Sequence, residues 1–452
     1  MFEPPAGSMW LSVWLDHYRE HTFNTSRVVS ERFSEVLTSR FATAWQGTFH
    51  VDTPQALYSR TGRQWGALSM SQNIPVFSEL TNDPGVNDTM DYSLVDAVNS
   101  DALLLISIYP YTFPAGTSWT AILDSDIQAL VDQCASYNKK GRRVILRFAP
   151  EMNGNWYPWA LQPTAFIATF RKLALLIQAQ APLTAMLWSP MVSENGGYVP
   201  TSSTGTMSAA DLALLDTNKN GVVDSGDNPY TPFWPGTDVV DWVGASMYDF
   251  GPYDNSLSTY VTNSLPPSNF FEARLTGGLV NFYDYVVSLG KPLSITELGK
   301  PFYLDYFANG YNGAATPIDA GPGNLAMKQA FWSQAITNKT MLDKYPNIKF
   351  IGLFEFRKYE LETLRDFQFL NDTTNGGTVM KAFLADIDAS GVNIIWANST
   401  NGTTTAPPTA TTTKSILTVT QAPSSSFSER QAELNAFGFL VSVCVIVIAG
   451  LF

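Results

Sequence analysis

Between Arg142 and Trp159 the chain reads RRVILRFAPEMNGNWYPW. Its first half, Val144 to Phe148, is a short and mostly apolar run between a Gly-Arg-Arg turn and a proline, the pattern of a buried parallel strand. Directly after it stand a carboxylic acid (Glu151), an amide (Asn153), a tyrosine and two tryptophans (Trp156, Trp159) whose rings can lie flat against a sugar. A carboxylate at the C-terminal end of a strand, ringed by aromatics, suits a general acid at the mouth of a barrel. Arg147, just before it, can bias that acid electrostatically; a structural ion pair is an equal reading. As a sugar site the cluster is expected to bind substrate through Arg147, Asn153, Trp156 and Trp159; the bland alternative is a capped strand end with core aromatics.

An acid of this kind needs a partner across the bond it breaks. Glu297, in KPLSITELG (Lys291 to Gly299), ends an apolar run, and the nearby glycine lets the backbone turn into a loop. Its alternative is again a carboxylate that caps a strand end.

The elements that must position this pair recur with a regular rhythm. Short apolar runs at 9–15, 65–70, 103–108, 144–148, 184–188, 240–247, 293–297 and 349–354 read as strands. Amphipathic stretches at 122–138, 164–180, 271–289, 325–342 and 378–387 read as helices, and Asp52-Thr53-Pro54 opens one more. The alternation predicts an α/β fold, a (β/α)8 TIM barrel with enlarged βα loops over residues 1–397, with 17–50 as an Arg- and Ser-rich insertion. Glu151 then ends strand four and Glu297 strand seven, so that they face one another around the mouth. A doubly wound sheet is the rival, but no Gly-rich phosphate loop follows an early strand.

Composition narrows the function. Charged residues are 15% of the 452, aromatics are 13%, and the formal charge is −13. Binding phosphates needs a Lys/Arg surface, which argues against nucleic acid and suits a neutral polysaccharide. Two cysteines, Cys134 and Cys444, make no disulfide framework. The three histidines all precede residue 51, far in sequence from Glu151, which disfavours a His triad or a zinc site. No cofactor is expected for catalysis. One loop reads as an ion site: from Asp216 to Asp227, oxygen ligands fall at positions 1, 3, 5, 9 and 12 (Asp216, Asn218, Asn220, Asp224, Asp227), with the Val222 carbonyl at 7 and Gly221 at 6. A Ca2+ there would be structural. Asp227 is shorter than the usual bidentate Glu, and the alternative is an Asx/Gly-rich surface turn.

EMNGNWYPW, followed by DVVDWVGASMYDFG and KPLSITELG, resembles glycoside hydrolase family 26, best known for endo-β-mannanases. The resemblance runs from about Pro4 to Ile387, leaving out His17 to His50. It implies a clan-A barrel and retaining hydrolysis, with Glu151 as acid/base, Glu297 as nucleophile, Tyr248 hydrogen-bonded to that nucleophile and Trp156 as a subsite aromatic. Two departures stand out. Pro150 occupies the position where the family usually has His, and the last strand reads IGLFEF (Ile351 to Phe356) where the family usually places a Trp. A degenerate barrel that only binds cell-wall carbohydrate is the alternative these departures support.

The C-terminal residues change character. Residues 398–433 form a Ser/Thr/Pro-rich linker expected to be disordered, and 434–452 a hydrophobic tail whose last 17 residues, Ala436 to Phe452, carry no charge. Ser424-Ser425-Ser426, a polar spacer and then this tail match a glycosylphosphatidylinositol signal; a membrane-spanning anchor is the alternative. Sequons at Asn24, Asn87, Asn338, Asn371, Asn398 and Asn401 fit the secretory route. The expectation is an extracellular, surface-held monomer, with an N-terminal signal upstream of the residues given.

Overall fold

A computed structural model describes residues 2–14, 53–75, 99–110, 118–202, 204, 207–252, 262–307, 314–360, 362–371 and 377–400. The expectations for residues 17–50, for the linker past residue 400 and for the tail lie outside these. The chain divides into two units, Met1–Thr405 and Ala406–Phe452, and everything below concerns the first.

Eight parallel strands close into a barrel: β1 (Ser8–Trp14), β2 (Ala67–Asn73), β3 (Leu103–Tyr109), β4 (Val144–Phe148), β5 (Thr184–Trp188), β6 (Trp242–Tyr248), β7 (Leu293–Gly299) and, closing against β1, β10 (Ile348–Leu353). Closure runs in register from Trp10↔Phe350 to Val13↔Leu353. The fold is a (β/α)8 TIM barrel. β3, β4 and β5 are buried on both faces, which is why they read in sequence as mostly apolar runs rather than alternating ones. The alternation lies in which core each side chain joins. Trp10, Trp14, Leu103, Leu105, Ile145, Leu187, Trp242 and Phe350 fill the lumen, while Leu104, Ile106, Val144, Leu146 and Met186 pack outward against the helices.

Thr53 caps the helix Pro54–Thr61 by accepting from the Ala56 amide at 3.1 Å, as its position before a proline predicts. Two expected helices are each broken in two. The stretch 271–289 becomes Phe270–Thr276 and Phe282–Ser288, separated at Gly277 and Gly278, the latter at φ +79°. The stretch 325–342 becomes Asn324–Ala335 and Lys339–Lys344, because the Asn338 side chain accepts from the Met341 amide at 3.0 Å and starts a new helix.

Five further strands went unread in sequence. β8 (Phe302–Phe307), β9 (Ala315–Pro317), β11 (Arg357–Glu360) and β12 (Thr363–Asp366) form an antiparallel rim sheet from the segments that follow β7 and β10. β13 (Asn393–Ile395) pairs with the start of β1.

Candidate active site

Glu151 lies three residues beyond β4, on a kinked turn. Ala149 and Glu151 have φ of +47° and +56°, a left-handed conformation that side chains resist, and Pro150 is locked between them. Two hydrogen bonds hold this turn: the Ala149 amide donates to Ile108 O at 2.9 Å and the Glu151 amide to Ser189 O at 2.8 Å. The chain thereby leaves β4 with its Glu151 backbone tied to the residue that follows β5. Trp156 Nε1 donates to Glu151 Oε2 at 2.8 Å. Burial first, and then the negative charge of Glu297, raise the Glu151 carboxyl above its ordinary range, against the opposing pull of Arg147 and hydrogen bonds from Ser246 and Trp156.

Glu297 sits within β7 and owes its direction to a bulge. Ser294 and Thr296 alternate with Leu293 and Ile295, and strict alternation would send Glu297 outward with the leucine and isoleucine. The register against both neighbours slips by one residue here: Ala245↔Ile295 is followed by Ser246↔Glu297 on β6, and Ile351↔Ile295 by Leu353↔Leu298 on β10. The slip sends Leu298 to the outer core and turns Glu297 toward the lumen.

There Arg147 Nη1 donates to Glu297 Oε1 and the Tyr248 hydroxyl donates to Oε2. Arg147 is fully buried and its other donors are held by Ser189 Oγ at 2.9 Å and Ser246 Oγ at 2.8 Å. Burial lowers the Arg147 pKa, but the charges of Glu297, Tyr109 and Glu151 and the hydrogen bond to Glu297 together outweigh it and hold the guanidinium firmly protonated. Tyr248 is pushed well above a normal phenol by burial and by Glu297, so it remains a donor.

Not all the residues read as substrate contacts reach the cleft. Arg147 belongs to the Glu297 side and is spent on protein groups. Asn153 is buried and uses both ends of its amide on the Met191 backbone, at 2.9 and 2.8 Å. Trp159 is buried, donates to Pro150 O at 2.9 Å and stacks on Tyr157 with centroids 4.2 Å apart. These two residues brace the turn that carries Glu151. Trp156 and Tyr248 stay beside the two carboxylates.

Sequence reading missed Ser189 and Ser246, small residues without a motif, and Tyr198, which stands edge-on to Trp156 at 5.3 Å. It also missed a buried pair just beyond Tyr248 and Gly299, in which Lys300 Nζ lies 2.9 Å from Asp249 Oδ2. In place of the expected family Trp, Phe354 meets Tyr248 edge to face at 5.4 Å. The following Glu355 is buried and accepts from the Phe369 and Leu370 amides, each at 2.8 Å; burial pushes it up to about 7.

The loop Asp216 to Asp227 folds around its own side chains. Asp227 is buried and accepts through Oδ1 from the Thr217 and Asn218 amides at 2.7 and 3.1 Å, and through Oδ2 from the Asp224 amide at 2.9 Å. Asp216 accepts from the Asn220 and Gly221 amides at 3.0 and 2.9 Å. Val222 is exposed, and Gly221 takes φ +91°. The donor set is all oxygen and suits a hard cation by type. Among the described residues, no group of three or more His, Cys, Asp or Glu is arranged to hold a metal ion.

No family model matches the chain, and no curated protein matches it. Solved structures similar to it include a GH26 β-mannanase from Bacteroides ovatus, at 13% identity over 86% of this chain and 90% of that one, with TM-score 0.45. Another is the catalytic domain of a Bacillus sp. JAMB-750 GH26 endo-β-1,4-mannanase, at 13% identity over 86% and 87%, with TM-score 0.46. A modular endo-β-1,4-mannanase from Cellulomonas fimi is similar at 11% identity over 89% and 76%, with TM-score 0.47.

Proposed function

We propose that this chain is a retaining glycoside hydrolase that cleaves internal β-linkages of a polysaccharide, with β-mannan the first substrate to test. One observation carries the reading: two buried carboxyls at the barrel mouth sit in opposite electrostatic settings. Glu297 is bound by a guanidinium and a phenol. Glu151 is bound by the neutral Trp156 and shifted toward its protonated form.

On this reading Glu297 attacks the anomeric carbon while the Glu151 proton passes to the leaving glycosidic oxygen, and a glycosyl ester forms. Glu151, now a carboxylate, then takes a proton from water as the water oxygen displaces Glu297. The choice of mannan comes from the sequence resemblance. The test is hydrolysis of mannan, xylan and mixed-linkage glucan followed by NMR. A β-anomer as first product is expected; an α-anomer first overturns retention, and no cleavage of any polymer overturns the enzyme reading.

We also propose that the Asp216 to Asp227 loop takes a structural Ca2+ through Asp216, Asn218, Asn220, Val222, Asp224 and Asp227, bracing the segment that leads to β6. The C-terminal signal pattern supports a lipid-anchored protein at the cell surface. Release from intact cells by phosphatidylinositol-specific phospholipase is expected, and retention there of an intact C-terminal tail overturns it.

A further inference from the structure

We propose that the hairpin of β11 and β12 is a positioning clamp for the Tyr248 phenol, acting through Arg365, Lys358 and Glu360; this rests on the reading of Glu297 as nucleophile. The Tyr248 hydroxyl lies at the end of a rigid ring, so the pose of that ring decides whether the O–H meets Glu297. The pose is set by other rings. Phe250 stacks on Tyr248 with centroids 5.4 Å apart and 15° between planes, while Phe354 at 5.4 Å and Phe367 at 5.8 Å stand edge-on. These three phenylalanines follow β6, β10 and β12, so the box around Tyr248 is assembled from three separate loops.

The hairpin joins its walls. The Arg365 guanidinium lies over Phe250 at 5.3 Å from the ring centroid and over Tyr303 at 5.4 Å. Lys358 Nζ lies over Phe354 at 5.0 Å and over Phe367 at 5.9 Å. Glu360 ties the two cations together, with Oε2 at 2.9 Å from Arg365 Nη1 and 3.6 Å from Lys358 Nζ. Tyr303 adds a further restraint by donating to Phe250 O at 2.8 Å.

Arg365 is 1% exposed, and its Nη2 has no hydrogen-bond partner among the described residues. A buried guanidinium that leaves a donor unpaired is committed to the ring faces, where a desolvated cation interacts most strongly. The same residues placed only to hold the rim sheet together would affect stability; a clamp on the phenol affects turnover.

The test uses Arg365→Met and, nearer the surface, Lys358→Met, each alone and combined with Tyr248→Phe. Tyrosine is labelled with 13C at Cζ, and the Tyr248 resonance is identified by its loss in Tyr248→Phe. We expect this resonance to move in each variant that folds, and kcat on polymer to fall about three- to tenfold at unchanged KM. In the Tyr248→Phe background the further loss should vanish, as it must for residues that act through one hydroxyl. An unmoved resonance overturns the proposal, as does a kcat loss that persists without the phenol or a change confined to KM. If the parent protein cleaves no polysaccharide, the glycosidase reading falls and the resonance alone decides the clamp.

Discussion

The two halves of the site hold chemically identical side chains by opposite means. On the β4 side, Glu151 is carried out of the strand by a turn with two left-handed residues and rests on a neutral donor. On the β6 and β7 side, Glu297 stays inside its strand, is re-aimed by a bulge and meets a buried cation and a phenol. The first setting favours a held proton, and the second places a full positive charge against the carboxyl. Backbone irregularity, strain in the first case and bulging in the second, is what brings each carboxyl to its place.

The sharpest break of this comparison is to remove each carboxyl in turn. Glu297→Ala is expected to lower turnover on polymer by about 10^4-fold or more. Glu151→Ala should cost about 10^2- to 10^4-fold on polymer but much less on an aryl glycoside with a good leaving group, which needs little protonation. Equal losses on both substrates in Glu151→Ala would erase the distinction between the halves.

Next in size is Arg147→Met. Arg147 is wholly buried against Glu297, and its removal leaves a carboxylate without its cation, at a cost of about 3–5 kcal/mol in folding stability. Chemical denaturation together with kcat measures both effects. Unchanged stability and unchanged turnover would show that the charge of Glu297 does not depend on this ion pair.

A gentler probe is pH. Because burial and the charge of Glu297 raise Glu151, its proton persists above the usual carboxylate range of about 4.3, and turnover on polymer should fall only as pH rises through that elevated pKa. In Glu151→Gln the alkaline limb should disappear on the aryl substrate, where residual rate remains. An alkaline limb that stays in place assigns it to another group.

The smallest expected effect lies away from both carboxyls. Added Ca2+ should raise the melting temperature through the Asp216 to Asp227 loop by mass action, and chelator should reverse it while kcat on a short substrate stays unchanged. Coincident melting curves, or a rise that survives Asp216→Ala, would remove the ion from this loop.

Local sequence was enough to place eight strands, because strands buried on both faces leave short, mostly apolar runs, and it put Glu151 just past one such run and Glu297 near the end of another. The family resemblance marked Tyr248, and residue type also marked Trp156. It did not separate them from Asn153 and Trp159, whose polar atoms are satisfied by backbone groups at Met191 and Pro150. Which side of β7 Glu297 faces depends on a register slip against β6 and β10 that exists only once the barrel closes; the alternation in its own strand points the other way. Arg147 sits 150 residues from its partner, and the rim sheet is built from segments after two different strands, so neither leaves a periodic trace. Sequence determined the barrel and its acidic residues because burial patterns are local. Only the tertiary structure decided which carboxyl receives the cation, because that pairing is set by barrel closure.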